Sequence, residues 1–262
     1  MKALITGASS GIGRAIAKEL ADQGIDLILV ARRGMALKEL KKELPVNVTV
    51  YQYDLSIMKN IESLYKEVRS EDIDILVNNA GFGLFGDFVE TDINREFEMI
   101  DLNIKAVHYM TKLFLHDFVK KDKGYILNVA SSAGFMSGPH LSTYYATKNY
   151  VCRLDEAIYQ ELKEKKSNVK ISSLCPGPVD TEFNKVAGGT FGVKGMSAEK
   201  VAKIAVKGMF KGKLTIVPGF KVRAGLLLYK LAPKKLSMKF ISKFQQSKIK
   251  KWLLNHFFNF CI

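Results

Sequence analysis

A glycine-rich turn lies between an apolar run and a helical pattern at the start of the chain. Residues 2–6 form the apolar run, Gly7, Gly11 and Gly13 follow, and the pattern from Ile12 to Leu20 is helical. In the order strand, glycine turn, helix, the glycines let the backbone approach a pyrophosphate closely. Free N–H groups and a partial positive charge at the helix N-terminus then hold the anion. The pattern favours a dinucleotide site, and a tight turn without a ligand is the alternative.

Beyond this turn, apolar runs alternate with helical patterns as far as residue 217. The strand-like runs lie at residues 2–6, 26–30, 47–52, 73–77, 124–130, 169–175 and 213–217. The helical patterns lie near residues 12–23, 34–43, 57–69, 95–120, 143–166 and 198–210. Such alternation predicts a doubly wound, Rossmann-type α/β fold, in which a parallel sheet of about seven strands has helices on both faces. A length of 262 residues suits a single domain of this kind.

A tyrosine and a lysine stand four residues apart in the pattern near 143–166. On a helix, Tyr144 and Lys148 lie on one face, one turn apart. A free phenol titrates near ~10 and an adjacent positive charge favours the phenolate, so the pair can act as an acid or base near neutral pH. Ser131 stands upstream at the end of the run 124–130, where an open α/β sheet builds its site. Alone, the pair would indicate two solvated side chains, and the glycine turn is what favours catalysis.

The spacing Thr-Gly-x-x-x-Gly-x-Gly over Thr6–Gly13, together with the Ser/Tyr/Lys stretch, resembles the short-chain dehydrogenase/reductase family. The resemblance continues in order along the chain through Asp54-Leu55, Asn78-Asn-Ala-Gly81, Asn103 and the segment Cys175–Thr181. It covers roughly residues 1–217 and gives little guidance beyond residue 218.

The resemblance implies roles for four side chains in an oxidoreductase that interconverts a carbonyl and a secondary alcohol. Tyr144 would pass a proton to the carbonyl oxygen, and Ser131 would hydrogen-bond the same oxygen. Lys148 would lower the pKa of the tyrosine and bind the nicotinamide ribose. Asn103 would hold a water that connects Lys148 to solvent. The hydride chemistry itself would belong to the cofactor.

The same resemblance implies a set of cofactor-binding residues. Asp54 and Leu55 would touch adenine, and Thr181 would meet the nicotinamide amide. The full expected set is Gly7, Ser9, Ser10, Gly11, Ile12, Gly13, Arg32, Arg33, Asp54, Leu55, Asn79, Ala80, Gly81, Tyr144, Lys148, Pro176, Gly177, Val179 and Thr181.

Two arginines at the end of the second strand-like run favour NADP(H) over NAD(H). An NAD site places an acidic residue about 20 residues beyond the glycine motif to bind the ribose 2′-hydroxyl. Here Arg32 and Arg33 occupy that region. A guanidinium can bind a 2′-phosphate that a carboxylate would repel. Arg32 is the stronger candidate because it is nearer the strand end, whereas Arg33 could equally be a surface charge.

Charge is divided unevenly along the chain. Residues 194–262 hold 16 Lys and Arg and a single acid, Glu199, out of 40 basic and 26 acidic residues in all. We therefore separate a catalytic domain, 1–217, from a basic amphipathic extension, 218–262. Docking on the domain, contact with a partner subunit and binding to a membrane surface are the alternatives for the extension. Nucleic acid is not expected to be its partner.

Large apolar residues near the site segments favour a lipophilic substrate. They are Phe82, Leu84, Phe85, Phe88, Phe135, Met136, Phe183 and Phe191. No arginine stands among them to bind a small acid. The glycine-rich segment 178–197 follows the nicotinamide-contacting threonine, and we interpret it as a mobile lid, with a disordered surface loop as the alternative.

The remaining features indicate a reduced, cytoplasmic enzyme without a metal. No apolar stretch reaches about 18 residues, and the first strand begins too early to leave room for a signal peptide. The three cysteines and four histidines have no metal-ligand spacing. A dimer or tetramer is implied by the family resemblance alone. A non-catalytic dinucleotide sensor or membrane-surface scaffold on the same fold is the competing function.

Overall fold

In the computed structural model, the central sheet within the described residues has seven strands, all parallel. The structure describes residues 1–183, 187 and 195–257, and for 247–257 it gives only the course of the helix. The sheet strands are β1 Lys2–Thr6, β2 Asp26–Ala31, β3 Val48–Gln52, β4 Ile75–Asn78, β5 Tyr125–Val129, β6 Lys170–Leu174 and β9 Thr215–Ile216. A separate parallel pair is formed by β7 Val179–Asp180 and β8 Met196–Ser197. The predicted doubly wound sheet is confirmed.

Helices fill both faces of this sheet. They are α1 Gly11–Ala21, α2 Gly34–Glu43, α3 Met58–Val68, α4 Ile93–Ile100, α5 Val107–Lys120, α6 Ser142–Glu164, α7 Ala198–Phe210, α8 Phe220–Leu231 and α9 Lys234–Phe257. Successive side chains of a strand point to opposite faces of the sheet, so the helices on the two faces bury alternate residues of each strand. In β1, Ile5 packs with α1, α2 and α7, whereas Leu4 packs with α3, α5 and α6.

Two sequence expectations differ from the observed elements. The helix expected near 95–120 is interrupted by a π-helical turn, Asp101–Ala106, between α4 and α5. Hydrophobic spacing does not reveal such a turn, because one extra residue shifts the pattern only locally. The strand expected at 213–217 is reduced to two residues, because only Thr215 and Ile216 pair with β6 at the sheet edge.

The strand order β3-β2-β1-β4-β5-β6-β9 reverses direction between β1 and β4. At such a switch point the helices leave on opposite faces, and a crevice opens beyond the carboxyl ends of the strands. The Thr6 hydroxyl at the end of β1 accepts hydrogen bonds from the backbone N–H groups of Asn79 at 2.9 Å and Ala80 at 3.0 Å. The two sides of the crevice are thereby held together.

A buried polar network lies under this edge of the sheet. The Asn128 amide on β5 donates to Asp155 on α6 at 2.6 Å and accepts from Asn78 on β4 at 2.8 Å. The other Asp155 carboxylate oxygen accepts from Ser173 on β6. Burial raises the pKa of Asp155 to about 7. These bonds tie the helix that carries Tyr144 to three neighbouring strands.

The two C-terminal helices lie beside the beginning of α6. Gln245 on α9 donates to the Tyr145 hydroxyl at 2.7 Å. The Tyr229 hydroxyl on α8 accepts from the Ser137 N–H at 3.0 Å. Along α9, Ser237, Ile241 and Gln245 are buried, and this four-residue interval turns one face of the helix toward the rest of the protein.

Candidate active site

An open cavity of about 1180 Å³ runs along the carboxyl edge of the sheet. One end is lined by the glycine turn and by the loop after β2. The middle is lined by Ser131, Tyr144 and Lys148, and the far end by α8 and α9. Every residue of the expected cofactor set except Gly13 lines this cavity, and Gly13 lies directly beneath the turn.

The glycine turn has the close backbone packing that a dinucleotide cradle requires. Gly7 has a φ of +64°, which favours glycine. A Cβ at Gly13 would come within 2.4 Å of the Asn79 amide nitrogen and 2.5 Å of the Gly7 carbonyl oxygen. The first turn of α1 carries no acidic residue, so its N-terminus can face a diphosphate. These residues fit the phosphates of a bound dinucleotide.

The two arginines after β2 lie at the mouth of the cavity. The Arg33 guanidinium donates to the Ser9 hydroxyl at 3.2 Å and to Glu182 at 2.9 Å. Arg32 donates to Glu98 at 3.2 Å. Both guanidinium groups are more than half exposed. Each guanidinium is thus solvent-exposed at the mouth of the cavity and paired with a carboxylate.

The expected adenine pocket follows β3. An oxygen of the Asp54 carboxylate accepts from the Ser56 N–H at 3.0 Å and from the Ser56 hydroxyl at 2.7 Å. Leu55 is buried beside it, and both residues line the cavity. The loop after β3 thus fixes the orientation of the Asp54 carboxylate. A fixed acceptor of this kind is suited to hydrogen-bonding the edge of an adenine base.

Tyr144, Ser131 and Lys148 meet in the middle of the cavity. Burial raises the pKa of Tyr144 above its ordinary value, and a hydrogen bond with the Ser131 side chain opposes that rise. The Lys148 ammonium lies 5.8 Å from the centre of the Tyr144 ring. Burial lowers the pKa of Lys148 to about 8. Burial therefore has the larger effect on the pKa of Tyr144, and its phenol is protonated at neutral pH.

Asn103 lies on the π-helical turn, fully buried behind Lys148. Its amide nitrogen donates to the Phe82 carbonyl at 2.9 Å and to the Thr147 hydroxyl at 3.1 Å, and its oxygen accepts from the Phe82 N–H at 3.1 Å. A Cβ at Gly81 would come within 2.8 Å of that oxygen. Gly81 therefore leaves the space in which the amide sits. The partner Thr147 was not expected from the sequence.

The segment after β6 closes the lower side of the cavity. Pro176 accepts from the Ser132 N–H at 2.8 Å. A Cβ at Gly11 would meet the Thr181 side chain at 3.2 Å, which places Thr181 beside the glycine turn. Gly177 packs against Val222 of α8, and Val179 lines the cavity. Half of the expected lid, with Gly188, Gly189, Phe191 and Gly192, lies outside the described residues.

The apolar wall is only partly the one expected. Phe82, Phe85, Met136 and Phe183 line the cavity. Leu84, Phe88 and Phe135 are not among the lining residues, because Leu84 and Phe135 pack into hydrophobic clusters and Phe88 is exposed. The far wall instead comes from the C-terminal helices, through Val222, Leu226, Leu228, Tyr229, Leu236, Phe240, Ile241, Phe244 and Gln245.

Among the described residues, no helix has both the length and the apolar composition of a membrane span. Nor does any group of three or more His, Cys, Asp or Glu side chains in that part of the chain form a metal-binding cluster. Cys152 and Cys175 are buried thiols with sulfur atoms 3.7 Å apart, and Cys261 lies outside the described residues.

Comparison with known proteins identifies relatives of the chain. The family model of short chain dehydrogenases matches residues 1–191. An uncharacterized oxidoreductase of Staphylococcus epidermidis is 35% identical over 207 residues, which cover 78% of this chain and 88% of the relative. An NADP-dependent 3-hydroxy acid dehydrogenase of Schizosaccharomyces pombe is 38% identical over 191 residues, 70% of this chain and 73% of the relative. The very-long-chain 3-oxoacyl-CoA reductase of Rattus norvegicus is 28% identical over 261 residues, 96% of this chain and 81% of the relative.

Solved structures share the fold. A short-chain dehydrogenase of Sphingobium yanoikuyae in complex with NADPH has a TM-score of 0.80 and 30% identity, over 90% of this chain and 94% of that one. A short-chain dehydrogenase/reductase of Burkholderia phymatum in complex with NAD has a TM-score of 0.81 and 25% identity, over 88% of this chain and 92% of that one.

Proposed function

The chain belongs to the short-chain dehydrogenase/reductase family of oxidoreductases that act on CH–OH and C=O groups, and from this premise we propose that it reduces a lipophilic carbonyl with NADPH. One observation carries the proposal. A single cavity joins the glycine turn, the Tyr144 and Ser131 hydroxyls and a largely apolar wall.

Tyr144 is proposed as the proton donor to the carbonyl oxygen. Its protonated state at neutral pH suits reduction, because the phenol must still hold its proton when the carbonyl binds. Ser131 shares a hydrogen bond with this phenol and can donate to the same substrate oxygen. The bound dinucleotide supplies the hydride. The Lys148 cation then stabilises the phenolate that the proton transfer leaves behind.

The preference for NADP(H) is proposed because two positively charged side chains follow β2. Arg32 and Arg33 line the cavity where an NAD site would hold an acid. Solved relatives carry NADPH in one case and NAD in the other, so the preference rests on these two guanidinium groups. A titration of the protein with each cofactor tests it directly.

The substrate is proposed to be a 3-oxoacyl, steroid-like or similar lipophilic ketone or aldehyde. The rings of Tyr144 and Phe183 lie 5.4 Å apart, and apolar side chains of α8 and α9 extend the wall beyond them. The alignment with the 3-oxoacyl-CoA reductase reaches over these helices, since it covers 96% of this chain. NADPH oxidation with a panel of ketones, steroids, 3-oxoacyl thioesters and aldehydes tests the assignment. Absence of turnover with every member, with either cofactor, would contradict it.

A membrane surface is proposed as the partner of α9. Three rows of side chains repeat every four residues along the helix. Ser237, Ile241 and Gln245 are buried, whereas Leu236, Phe240 and Phe244 are exposed at the rim of the cavity. The third row is Lys235, Lys239 and Lys243, all exposed. An exposed apolar row beside a basic row suits the headgroup region of an anionic bilayer, from which a lipophilic substrate could enter.

A homo-oligomer is proposed through exposed apolar side chains of α4 and α6. These side chains are Ile93 and Phe97 on α4 and Tyr150 on α6. Light scattering of the purified protein, with Phe97→Ser as the disrupting variant, tests whether copies associate there. A monomeric wild-type protein would contradict the proposal.

A further inference from the structure

Gln245 is a buried amide at the far end of the cavity. Its side chain lines the cavity although the residue is only 3% exposed. Its Nε2 donates to the Tyr145 hydroxyl at 2.7 Å, and its Oε1 has no hydrogen-bond partner among the described residues. Exchanging the two ends of the amide would leave Nε2 unpaired instead. Either way, one polar atom of Gln245 is buried without a partner in a residue that lines the cavity, and such atoms are costly unless something bonds them.

Tyr145 offers the complementary half of a polar pair. Its hydroxyl oxygen accepts from Gln245, and within the described part of the chain no acceptor is found for its own hydrogen. Burial raises the pKa of Tyr145 to about 12, so the hydroxyl keeps this hydrogen at neutral pH. With Nε2 toward Tyr145, one unpaired acceptor, Gln245 Oε1, thus lies next to one unpaired donor, the Tyr145 O–H.

Resting on the function proposed above, we propose that Gln245 and Tyr145 form a second polar subsite, which binds a hydroxyl group of a lipophilic substrate away from the reacting carbonyl. A hydroxyl both donates and accepts, so it can satisfy both atoms together. A carboxylate could accept from Tyr145 but would face the Gln245 oxygen. A carbonyl could pair only with Tyr145. An alkyl chain would leave both atoms unpaired.

The position of the subsite makes it selective. The rings of Tyr145 and Tyr144 meet edge to face with centres 6.2 Å apart, so the subsite adjoins the candidate proton donor. Leu141, Met136 and Ile241, which line the cavity, belong to the same hydrophobic cluster as Tyr145. Hydrogen bonds in such surroundings are stronger than in water. A hydroxyl placed correctly along the substrate would thus orient the carbonyl toward Tyr144.

The test uses a medium-chain methyl ketone and the series of its monohydroxy derivatives, with the hydroxyl at successive carbons. We expect the wild-type enzyme to reduce at least one derivative with a kcat/KM about tenfold above that of the parent, the effect of one to two net hydrogen bonds. Gln245→Met, which keeps the length of the side chain but removes the amide, should lower that ratio to about one. Tyr145→Phe should lower it too. Gln246→Met, at the exposed neighbouring position, should leave the ratio unchanged.

The ratio compares two substrates on the same variant, so a general loss of stability does not imitate the effect. If Gln245→Met is too unstable to assay, Tyr145→Phe removes a single hydroxyl and tests the same ratio. Reduction of the parent without preference for any derivative would overturn the subsite and leave the proposed function standing. A ratio that persists in both variants would also overturn it. Failure to reduce any compound would instead contradict the proposed function.

Discussion

The Lys148 ammonium donates a hydrogen bond to the Val129 carbonyl oxygen at 2.9 Å, which fastens the second turn of α6 to the last residue of β5. The bond fixes the cation near the Tyr144 ring while leaving it buried. One consequence for pH dependence arises from this arrangement.

The rate of reduction should fall as pH rises through about 8. Burial lowers the pKa of Lys148 to about 8, and above that pH the cation that stabilises a Tyr144 phenolate is lost. A pH profile of kcat should therefore show a descending limb near pH 8 that Lys148→Met abolishes along with most activity. Lys163→Met, exposed on the same helix, is the control. A flat profile to pH 10 would contradict the assignment.

Asp155 should make the protein less stable as pH rises from about 4 to 7. The folded pKa of about 7 exceeds the ordinary aspartate pKa of 3.8, so within that window the folded state holds more protons than the unfolded state. The free energy of unfolding therefore decreases as pH rises. Urea denaturation at pH 5 and pH 7 should show this loss in the wild type and a smaller one in Asp155→Asn. An equal loss in both proteins would show that other groups are responsible.

Tyr144→Phe should lower kcat by a factor of at least ~100, the usual contribution of a general acid. Tyr145 would be the natural control from sequence, but its hydrogen bond to Gln245 gives it a role of its own. Tyr150→Phe is the better control, because that partly exposed hydroxyl contacts only His108 among the described residues. Similar losses in both variants would remove Tyr144 from the mechanism.

Arg32→Ala should weaken NADPH binding about ten- to a hundred-fold and leave NADH binding nearly unchanged. A charge-assisted contact contributes roughly 1.5–3 kcal/mol, and only NADPH has the phosphate that uses it. Arg33→Ala should act in the same direction if its guanidinium leaves Glu182 for the phosphate. Arg69→Ala, an exposed arginine at the end of α3, serves as control. A wild type that prefers NADH would overturn the argument from charge.

Neutralising Lys235, Lys239 and Lys243 together to Gln should weaken sedimentation with phosphatidylserine vesicles. Each lysine contributes about 1 kcal/mol near an anionic surface, and added salt should reduce the binding by screening. The matched control replaces Lys200, Lys203 and Lys207, an exposed set on α7. Equal losses in both triple variants would indicate nonspecific attraction, and no binding by the wild type would contradict a membrane role.

Removal of residues 235–262 tests what α9 contributes to stability and to substrate preference. The truncation deletes Gln245, Ile241 and the exposed rim, so it should lower the melting temperature and widen substrate tolerance. The seven strands should remain, because they end before residue 220. Circular dichroism and the ketone panel measure the two effects. A truncated protein with unchanged substrate preference would show that α9 contributes nothing to the cavity.

The sheet and the cofactor cradle could be predicted because local chemistry determines them. A strand, a glycine turn and a helix lie within the first 21 residues, and alternating apolar runs mark the later strands. Asn103 could be named but not placed, since the π turn that carries it leaves no signature in hydrophobic spacing. Gln245 was missed for another reason. Its partner is one hundred residues away, and only the spacing of Ser237, Ile241 and Gln245 hinted at a buried face.

The bond between Gln245 and Tyr145 joins a late part of the chain to an earlier one, so it can form only after α9 has been synthesised. A nascent chain that ends before α8 already contains the glycine turn, Arg32, Ser131, Tyr144 and Lys148. The far wall of the cavity comes from helices that are synthesised after all of these residues. We therefore expect biosynthesis to pass through a stage in which the growing protein can hold a dinucleotide before it can discriminate among carbonyl compounds.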